Sequence, residues 1–561
     1  MKKILSLVLA LLMLLGLTAC PDDGTGNNTG HEDDMSPGQQ AYIENQYDED
    51  GKLIISFFGI DLDTLQAQTD ETKRIMDYIE NKFNVKFKFL TATTSGWKNV
   101  LNQYIGAGEA PDIFFHTHDE PAYSTWLQDN YLFNFSTLLD DYPNLKAAFE
   151  RYPVDEMKGY LGGDYYSYPV VMDQDIATNS INEHALYYRV DWYNNLVAKN
   201  WKPSSGRELV NPTDPSFNYL NFYDLCEGYT KGDPDNNGLD DTYGYALTKD
   251  GGVYWWYPLF SLFGVNWDGW HQDASGNWVP DCTSEDMKEA LFFIADMYDK
   301  GFINSNYATT ATQAVMKNEF VNGLAGMMCY NATYPMGKGI LDLMKAYTTD
   351  GKELSDVVQA MPVATNSHGE KTMFGYSNYY GFRAINNDIG VSKKKKILEI
   401  MEWMLSEEGQ TVLNYGLEGI HYERDDQGNI VSKLGLDKNG YPKTLYDESV
   451  APGIYRIKGL VSWDTLIPDV MEDREEQLQL LTAWENQYLD VNPLGYVSVD
   501  PSYALTISQL NDMIEISYKE IVSKTTNEKR EKIWNDFVKK YSVIGNSYIN
   551  AVNEKADEIV K

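Results

Sequence analysis

KLIISFFGI (52–60), ETKRIMDYIENKFN (71–84) and VKFKFLTA (85–92) follow one another and read as strand, helix and strand. In the helix Ile75, Ile79 and Phe83 recur at spacings of four, which gives it one apolar face. A β-α-β opening predicts a parallel sheet covered by helices, because parallel neighbours need a long crossover. WKNVLNQYIGAGEA (97–110) and PDIFFHTH (111–118) extend the pattern with a second helix and a buried strand; Gly106 and Gly108 stop the helix and Pro111 cannot continue it. Residues 52–118 are thus expected to form an α/β unit. Further helices are predicted at DMKEALFFIADMYDKG (286–301), KKKKILEIMEWMLSEEGQ (393–410) and from Asp500 to Lys561. The four lysines at 393–396 oppose the helix dipole and are expected in a solvated loop.

The chain has 561 residues, with 46 Lys and Arg against 83 Asp and Glu, a formal charge of -37. Nucleic acid is excluded as a partner, since phosphate contacts need clustered cations. At 43% hydrophobic residues the composition suits a large buried core, and the length implies at least two domains. Aromatic content is unusual: 41 Tyr exceed 21 Phe and 13 Trp together, and Tyr suits wet, amphipathic ligands.

Lys2 and Lys3 precede an apolar run, Ile4 to Leu17, too short to span a bilayer and fitting a signal-peptide core. It ends in LTAC (17–20), which looks like a bacterial lipobox. Residues 1–19 are then a signal peptide, and Cys20 is the lipidation site, carrying acyl chains such as palmitate. Residues 20–40 have almost no apolar side chain and read as a flexible tether. The expected location is extracytoplasmic, on the outer face of the cell membrane, held by lipid alone. Cys226, Cys282 and Cys329 allow at most one disulfide, with buried thiols the equal alternative.

DPDNNGLDDTYG (233–244) places Asp233, Asp235 and Asn237 at alternating positions, then Gly238, Leu239 and Asp241. These match positions 1, 3, 5, 6, 7 and 9 of an EF-hand loop, with Leu239 offering its carbonyl, and oxygen sets of this kind hold calcium. Position 12 departs: Gly244 stands where a bidentate Glu belongs. A structural calcium ion is the cofactor expected, against the plain alternative of an Asp/Asn/Gly turn.

Together AGEAPDIFF (107–115), LYYRVDW (186–192), the loop at 233–244, EFVNGLAGMM (319–328), SNYYGFRAI (377–385) and EEGQTVLNYGLEGIHY (407–422) resemble the family 1 extracellular solute-binding proteins, capture subunits of carbohydrate ABC importers. The resemblance implies an α/β, two-lobed fold of the type II periplasmic-binding-protein kind, each lobe a mixed sheet flanked by helices, with a hinge between. Lobe 1 is then 41–172 plus 380–420, and lobe 2 is 175–375 plus 423–561. Crossings fall near Pro169–Thr178, Phe374–Ala384 and Tyr415–Tyr422. It also implies a monomeric, non-catalytic protein that closes on an oligosaccharide and presents it to permease subunits.

Sugar sites combine aromatic platforms with a few polar groups. VYWWYPLFSLFGVNWDGWHQ (253–272) is the densest aromatic stretch, and the resemblance makes Trp255, Trp256 and Trp270 stacking residues, with Trp267 beside them. In CYNATYPMG (329–337) it points to Tyr330, Asn331 and Tyr334. The end of PDIFFHTH sets His116, Thr117 and His118 at the ligand side of an open sheet, with Trp126 following. The hinge stretches add Tyr188, Arg189, Tyr379 and Tyr422. His116 and His118 form an HxH pair, a weak metal-hydrolase signal in a chain with 7 His and no HExxH. A surface glycosidase and a glycan-adhesion lipoprotein remain the alternatives to capture for transport.

Overall fold

The computed structural model describes residues 46–60, 62, 69–93, 96–117, 122–151, 164–171, 180–181, 184–309, 312–333, 336–349, 351–377, 379–436, 443–447, 449–462, 473–491, 494, 501–523 and 525–559. The expected signal peptide and tether, Cys20, His118 and Tyr334 lie outside the described residues. Up to Leu53 the described part is a turn in which the Asp48 carboxylate accepts from the amides of Asp50 (3.1 Å) and Lys52 (2.7 Å).

Strand β1 (Leu53–Ile60) leads to a helix at Asp70–Phe83 and then to β2 (Val85–Ala92). Thr69 caps the helix by accepting from the Thr72 amide, Asp70 and Glu71 favour its positive end, and Asn84 closes it at φ 53. Ile75, Met76 and Ile79 form its buried face. β3 (Ile113–His116) is buried at every position and pairs parallel with β1. β4 (Tyr168–Val171) belongs to the same sheet, and β5 (Ser180–Ile181) to a different one.

β6 (His184–Arg189), buried throughout, starts a second layer that β7 (Tyr243–Ala246) joins. A hairpin, β8 (Trp270–Gln272) with β9 (Trp278–Pro280), precedes β10 (Ala325–Asn331) and β11 (Val358–Ala360). The second sheet has order β11-β6-β10-β7, with β10 antiparallel to β6 and parallel to β7. β12 (Met373–Ser377) is followed directly by β13 (Tyr379–Ile385). β13 lies antiparallel between β3 and β4, giving the first sheet the order β2-β1-β3-β13-β4. After the hairpin β14 (Tyr422–Arg424) and β15 (Ile430–Ser432), β16 (Leu489–Val491) completes a small sheet, β16-β12-β5. The fold is therefore α/β with two lobes, each a mixed sheet flanked by helices. β4 to β5 and β12 to β13 both lead between the small sheet and the first one.

Gly381 is required where β13 meets β3: a Cβ there would stand 2.4 Å from Phe115 Cε2 and 2.8 Å from the His116 carbonyl. Buried aromatics fill the core, among them Trp192, Trp256, Tyr229, Tyr245 and Trp534. The C-terminal region is helical over Ala504–Val522 and Asn527–Ile559. No described helix is long and apolar enough to cross a membrane. Cys226, Cys282 and Cys329 are buried and free, so no disulfide joins them.

Two expectations are corrected. The lysines at 393–396 lie inside a helix, Val391–Leu405. Lys393 is buried in an ion pair with Asp112 (2.7 Å), and Lys394 donates to the Asn387 carbonyl and side chain (2.6 and 2.8 Å), so anchored acceptors offset the helix dipole. The crossing expected at Tyr415–Tyr422 is absent, because Gly416 and Gly419, at φ 85 and 79, turn the chain into the β14–β15 hairpin. His421 Nε2 meets Glu71 on the helix Asp70–Phe83 (2.9 Å), the Tyr446 hydroxyl donates to Leu413 O (2.8 Å), and Tyr168 of β4 donates to Val461 O (3.0 Å). The described residues between 415 and 462 thus remain on the first sheet's side, and the helix Arg474–Thr482 packs on β6 and β11.

Candidate functional site

In the second sheet the register sets His184, the first residue of β6, opposite Asn331, the last of β10. β7 runs parallel to β10, so this edge is the carboxyl end of two neighbouring strands, where open α/β sheets hold ligands. Aromatic side chains gather on it. The His184 ring lies 4.7 Å from Trp255 and 6.1 Å from Tyr254. Trp255 stacks on Tyr330 at 6.4 Å with an 18° tilt. The Tyr257 hydroxyl meets both His184 Nδ1 (3.1 Å) and Cys329 Sγ (3.3 Å), and its ring contacts Phe374 of β12 at 5.6 Å.

The short helical turn Tyr254–Trp256, entered through Gly251 and Gly252 at φ 66 and 74, presents these rings. Trp255 is 4% exposed, whereas Tyr254 and Tyr330 are half-buried. Burial holds the His184 imidazole down to about 3, so it stays neutral at physiological pH. Burial likewise raises the Tyr330 phenol and pushes the Cys329 thiol up to about 12. The described residues of this edge offer ring faces and neutral hydrogen-bonding groups. Asn331 closes the edge with a turn, its Oδ1 accepting from the Thr333 amide (2.9 Å) and hydroxyl (2.6 Å).

The other sequence candidates are distributed as follows. Trp256 is wholly buried and donates its indole N–H to Thr248 O (3.2 Å), which makes it a core residue. Trp267 is half-buried against the same core. Trp270 packs its ring on Tyr548 (6.1 Å) and lines a cavity with Phe374 and Asp490. On the first sheet His116 is fully buried, stacked between Tyr123 (5.0 Å) and Phe382 (5.2 Å), with Nε2 hydrogen-bonded to Ser167 Oγ (2.8 Å). It is a satisfied core histidine, and Trp126, 5% exposed, belongs to the same cluster. Thr117 is half-exposed beside them.

Tyr188 is buried and donates to Gln359 (3.2 Å). Arg189 sits at the opposite end of β6 from His184. It forms two hydrogen bonds with Asp191 (2.7 and 2.6 Å) between the rings of Trp192 and Tyr347, and no ligand-edge residue touches it there. Tyr379 lies in β13 opposite Val171. Tyr422 is buried against Tyr415 in the first lobe's hairpin. Sequence reading missed His184, Tyr254, Tyr257 and Phe374. The antiparallel pairing of HALYYR with AGMMCYN brings His184 to this edge, and the rings of Tyr254, Tyr257 and Phe374 reach it from other elements.

The loop at 233–244 links the helix Tyr219–Lys231 to β7. Asp235 Oδ2 and both Asp241 oxygens converge on the Asn237 amide nitrogen at 2.8, 3.2 and 3.2 Å. Gly238 adopts φ 78, and its amide donates to Asp233 Oδ1 (3.0 Å). Asp233 is held below the usual carboxylate range by that amide and then by Lys199. Asp235 is raised by burial, with the charges of Asp241 and Asp233 adding to it. Gly244 cannot be the missing Glu, since a Cβ there would lie 2.7 Å from Cys226 Cα. Thr242 turns inward to donate to Tyr229 O (2.8 Å). Among the described residues no three His, Cys, Asp or Glu side chains form a metal-holding group.

The two-lobed α/β fold is one this chain shares with solved solute-binding proteins. The chain is 24% identical over 415 residues to Lipoprotein LipO of Bacillus subtilis (strain 168), covering 71% of this chain and 72% of that protein. Over 402 residues it is 20% identical to the polygalacturonan/rhamnogalacturonan-binding protein YtcQ of the same organism, with 70% and 72% covered. Among solved structures, an extracellular solute-binding protein from Bifidobacterium longum subsp. infantis superposes with a TM-score of 0.66 at 17% identity, covering 92% of this chain and 100% of that one. The EF-hand mutant of the S. pneumoniae ABC-transporter substrate-binding protein FusA, in complex with fructo-nystose, gives 0.60 at 17% identity, with 90% and 99% covered. Alginate-binding protein AlgQ2 without calcium ion gives 0.61 at 14%, with 90% and 98% covered. No protein-family model matches the chain. The resemblance to family 1 extracellular solute-binding proteins rests on these relatives and on the stretches that first suggested it.

Proposed function

We propose that this chain captures a carbohydrate, an oligosaccharide, between its lobes outside the cytoplasmic membrane and delivers it, without turnover, to the permease of an ABC importer. Cys20 is its lipid anchor, and it acts as a monomer. The observation that carries the reading is the aromatic edge of Trp255, Tyr330 and Tyr254 beside the strand β12, which continues into the first sheet as β13. Rings held there can stack on sugar faces while the hinge strands bend. Thr117 is the contribution of the first lobe's edge. On this reading one lobe takes the described residues within 54–171 and 379–462, and the other those within 180–377 and 473–559.

The loop at 233–244 holds a structural calcium ion in this reading. Asp235 and Asp241 converge on the Asn237 side-chain nitrogen, and an ion there would have the Asn237 amide turn its oxygen inward, exchanging its hydrogen bond from the Leu239 amide for the metal, with the Leu239 carbonyl and Asp233 beside it. The names of FusA's EF-hand mutant and of calcium-free AlgQ2 support that assignment. Capture is tested by a thermal-shift screen across neutral and acidic oligosaccharides, followed by product analysis and small-angle scattering. A melting shift, unaltered sugars and a smaller radius with ligand are expected. New sugar products would establish a glycosidase, and an unchanged radius a rigid adhesin.

A further inference from the structure

Tyr257 opens the short helix Tyr257–Ser261, directly after the turn that presents Tyr254 and Trp255, and it is fully buried. Its ring reaches three parts of the molecule. These are Tyr254 on the turn (5.9 Å), Phe374 of β12 (5.6 Å) and Trp484 (5.9 Å), whose indole N–H donates to Met361 O (3.2 Å). Its hydroxyl reaches two more, His184 Nδ1 of β6 at 3.1 Å and Cys329 Sγ of β10 at 3.3 Å. One phenol thus links the two strands that end at the aromatic edge, the turn that carries the edge's rings, and the strand that continues into the first sheet.

The proton order in this group follows from donor and acceptor strength. Burial keeps both partners of the hydroxyl uncharged at physiological pH, with His184 held down to about 3 and Cys329 pushed up to about 12. A hydroxyl has one proton, so Tyr257 donates to one partner and accepts from the other. The unprotonated imidazole nitrogen is a full acceptor, whereas thiol sulfur is a weak acceptor and its S–H a weak donor. The phenol proton therefore goes to His184 Nδ1, and the Cys329 S–H donates to the Tyr257 oxygen. The reverse order would direct the phenol proton at the weaker acceptor. With Nδ1 accepting, the neutral imidazole carries its proton at Nε2.

We infer that Tyr257 is a positioning residue of the aromatic edge: its hydroxyl accepts from the Cys329 thiol and donates to His184 Nδ1, which fixes the imidazole as the tautomer protonated at Nε2 and holds the Trp255 and Tyr330 rings where a sugar face stacks on them. The inference rests on the reading of this edge as the carbohydrate site. Tyr257 acts through its neighbours. The His184 ring it orients lies 4.7 Å from Trp255, Trp255 stacks on Tyr330, and Tyr330 directly follows Cys329 in β10. Its contact with Phe374 joins the same edge to the strand on which the lobes turn in that reading.

Proton–nitrogen correlation NMR on the purified protein, with isotopic nitrogen in its histidine rings, tests it without a ligand, the His184 signals being identified by their loss in His184→Phe. The wild type should show His184 protonated at Nε2 with a hydrogen-bonded acceptor at Nδ1. Cys329→Ala should show the same, because the phenol still donates to Nδ1. Tyr257→Phe keeps the ring contacts and should lose the hydrogen-bonded signature at Nδ1, a change that a tyrosine serving only to fill the core would not produce. Calorimetry with maltotriose, kestose, galactotriose and trigalacturonate then reads the edge itself: any of them that binds the wild type should bind Tyr257→Phe roughly threefold to tenfold more weakly, the effect of one lost hydrogen bond. A wild-type His184 protonated at Nδ1, a His184 signature that survives in Tyr257→Phe, or unchanged affinity in that folded variant would overturn the inference. Should Tyr257→Phe not fold, the wild-type and Cys329→Ala spectra decide. If none of the four sugars binds the wild type, it is the capture reading that fails for them, and the spectra still judge Tyr257.

Discussion

The two ends of β6 carry opposite chemistry. At His184 the strand meets Trp255, Tyr257 and the carboxyl edge of β10, an aromatic surface whose imidazole is kept uncharged by burial. At Arg189, five residues on, the same strand ends in a buried ion pair with Asp191, enclosed by Trp192 and Tyr347. The Arg189 carbonyl accepts from the Tyr229 hydroxyl (2.6 Å), tying the strand to the helix that leads into the 233–244 loop. One end can receive a ligand; the other locks a strand, a turn and two helices together. A charged, aromatic sequence motif marks a structural lock here because its carboxylate and guanidinium are paired with each other inside the fold, even though Arg189 Nη1 and the Trp192 indole nitrogen have no hydrogen-bond partner among the described residues.

Breaking the lock should give the largest effect. Arg189→Ala leaves Asp191 buried without its partner, and such losses cost about 3–5 kcal/mol. Urea denaturation should show that loss, while carbohydrate affinity of the remaining folded protein stays at wild-type level. A stable variant that no longer binds sugar would move the site to this end. At the other end the sign of the pH effect follows from burial. His184 titrates near 3 folded against about 6.5 unfolded, so below about pH 6.5 the unfolded chain binds a proton that the folded one refuses. Stability therefore falls as pH drops from about 6.5 toward 3, and is unaffected by this group above that window. Between pH 7 and 5 the wild type should lose about 2 kcal/mol more than His184→Phe, judged by urea midpoints.

The sequence made the helix-and-strand succession of the first lobe readable, because one apolar stripe at Ile75 and Ile79 and one buried run at Ile113–His116 fix it locally. It also showed the loop at 233–244, whose spacing is contiguous. What it could not show depends on strand register. LYYRVDW and HTH looked like site residues because both combine charge, rings and a strand end. Only pairing reveals that Arg189 lies at the wrong end of β6 and that His116 is stacked between Tyr123 and Phe382. The same pairing brings His184, absent from any motif, opposite Asn331. The missed crossing has a similar cause, since GLEGIHY turns back through two glycines instead of leaving the lobe, and His421 there meets Glu71, a residue far off in sequence.

Tyr330 sharpens the aromatic end further. It is half-buried and stacks on Trp255, so Tyr330→Ala removes a platform while leaving Trp255 packed. Stacked rings contribute about 0.5–1.5 kcal/mol beyond burial, and calorimetry should record a several-fold to roughly tenfold loss of oligosaccharide affinity. Unchanged affinity in a folded variant would take this edge out of the site.

The smallest effect should come from calcium, and it tests to which end of β6 the loop belongs. The loop closes between the helix that holds Tyr229 and strand β7, and Asn195 and Lys199, beyond Arg189, bind its backbone at Pro234 O (2.7 Å) and Gly232 O (3.2 Å). An ion at Asp235 and Asp241 would offset the burial, and the smaller repulsion from Asp241 and Asp233, that raise Asp235, and would stiffen this locked end, where Lys199 already binds the loop. With a dissociation constant of about 10⁻⁴ to 10⁻³ M, 1 mM calcium adds only about 0.4–1.4 kcal/mol. Chelation should therefore lower the melting temperature slightly, Asp241→Asn should abolish that sensitivity, and neither should change sugar selectivity, because the aromatic edge is at the far end of the strand. A selectivity that shifted with calcium would couple the two ends and replace the division between lock and ligand edge with a single cooperative strand.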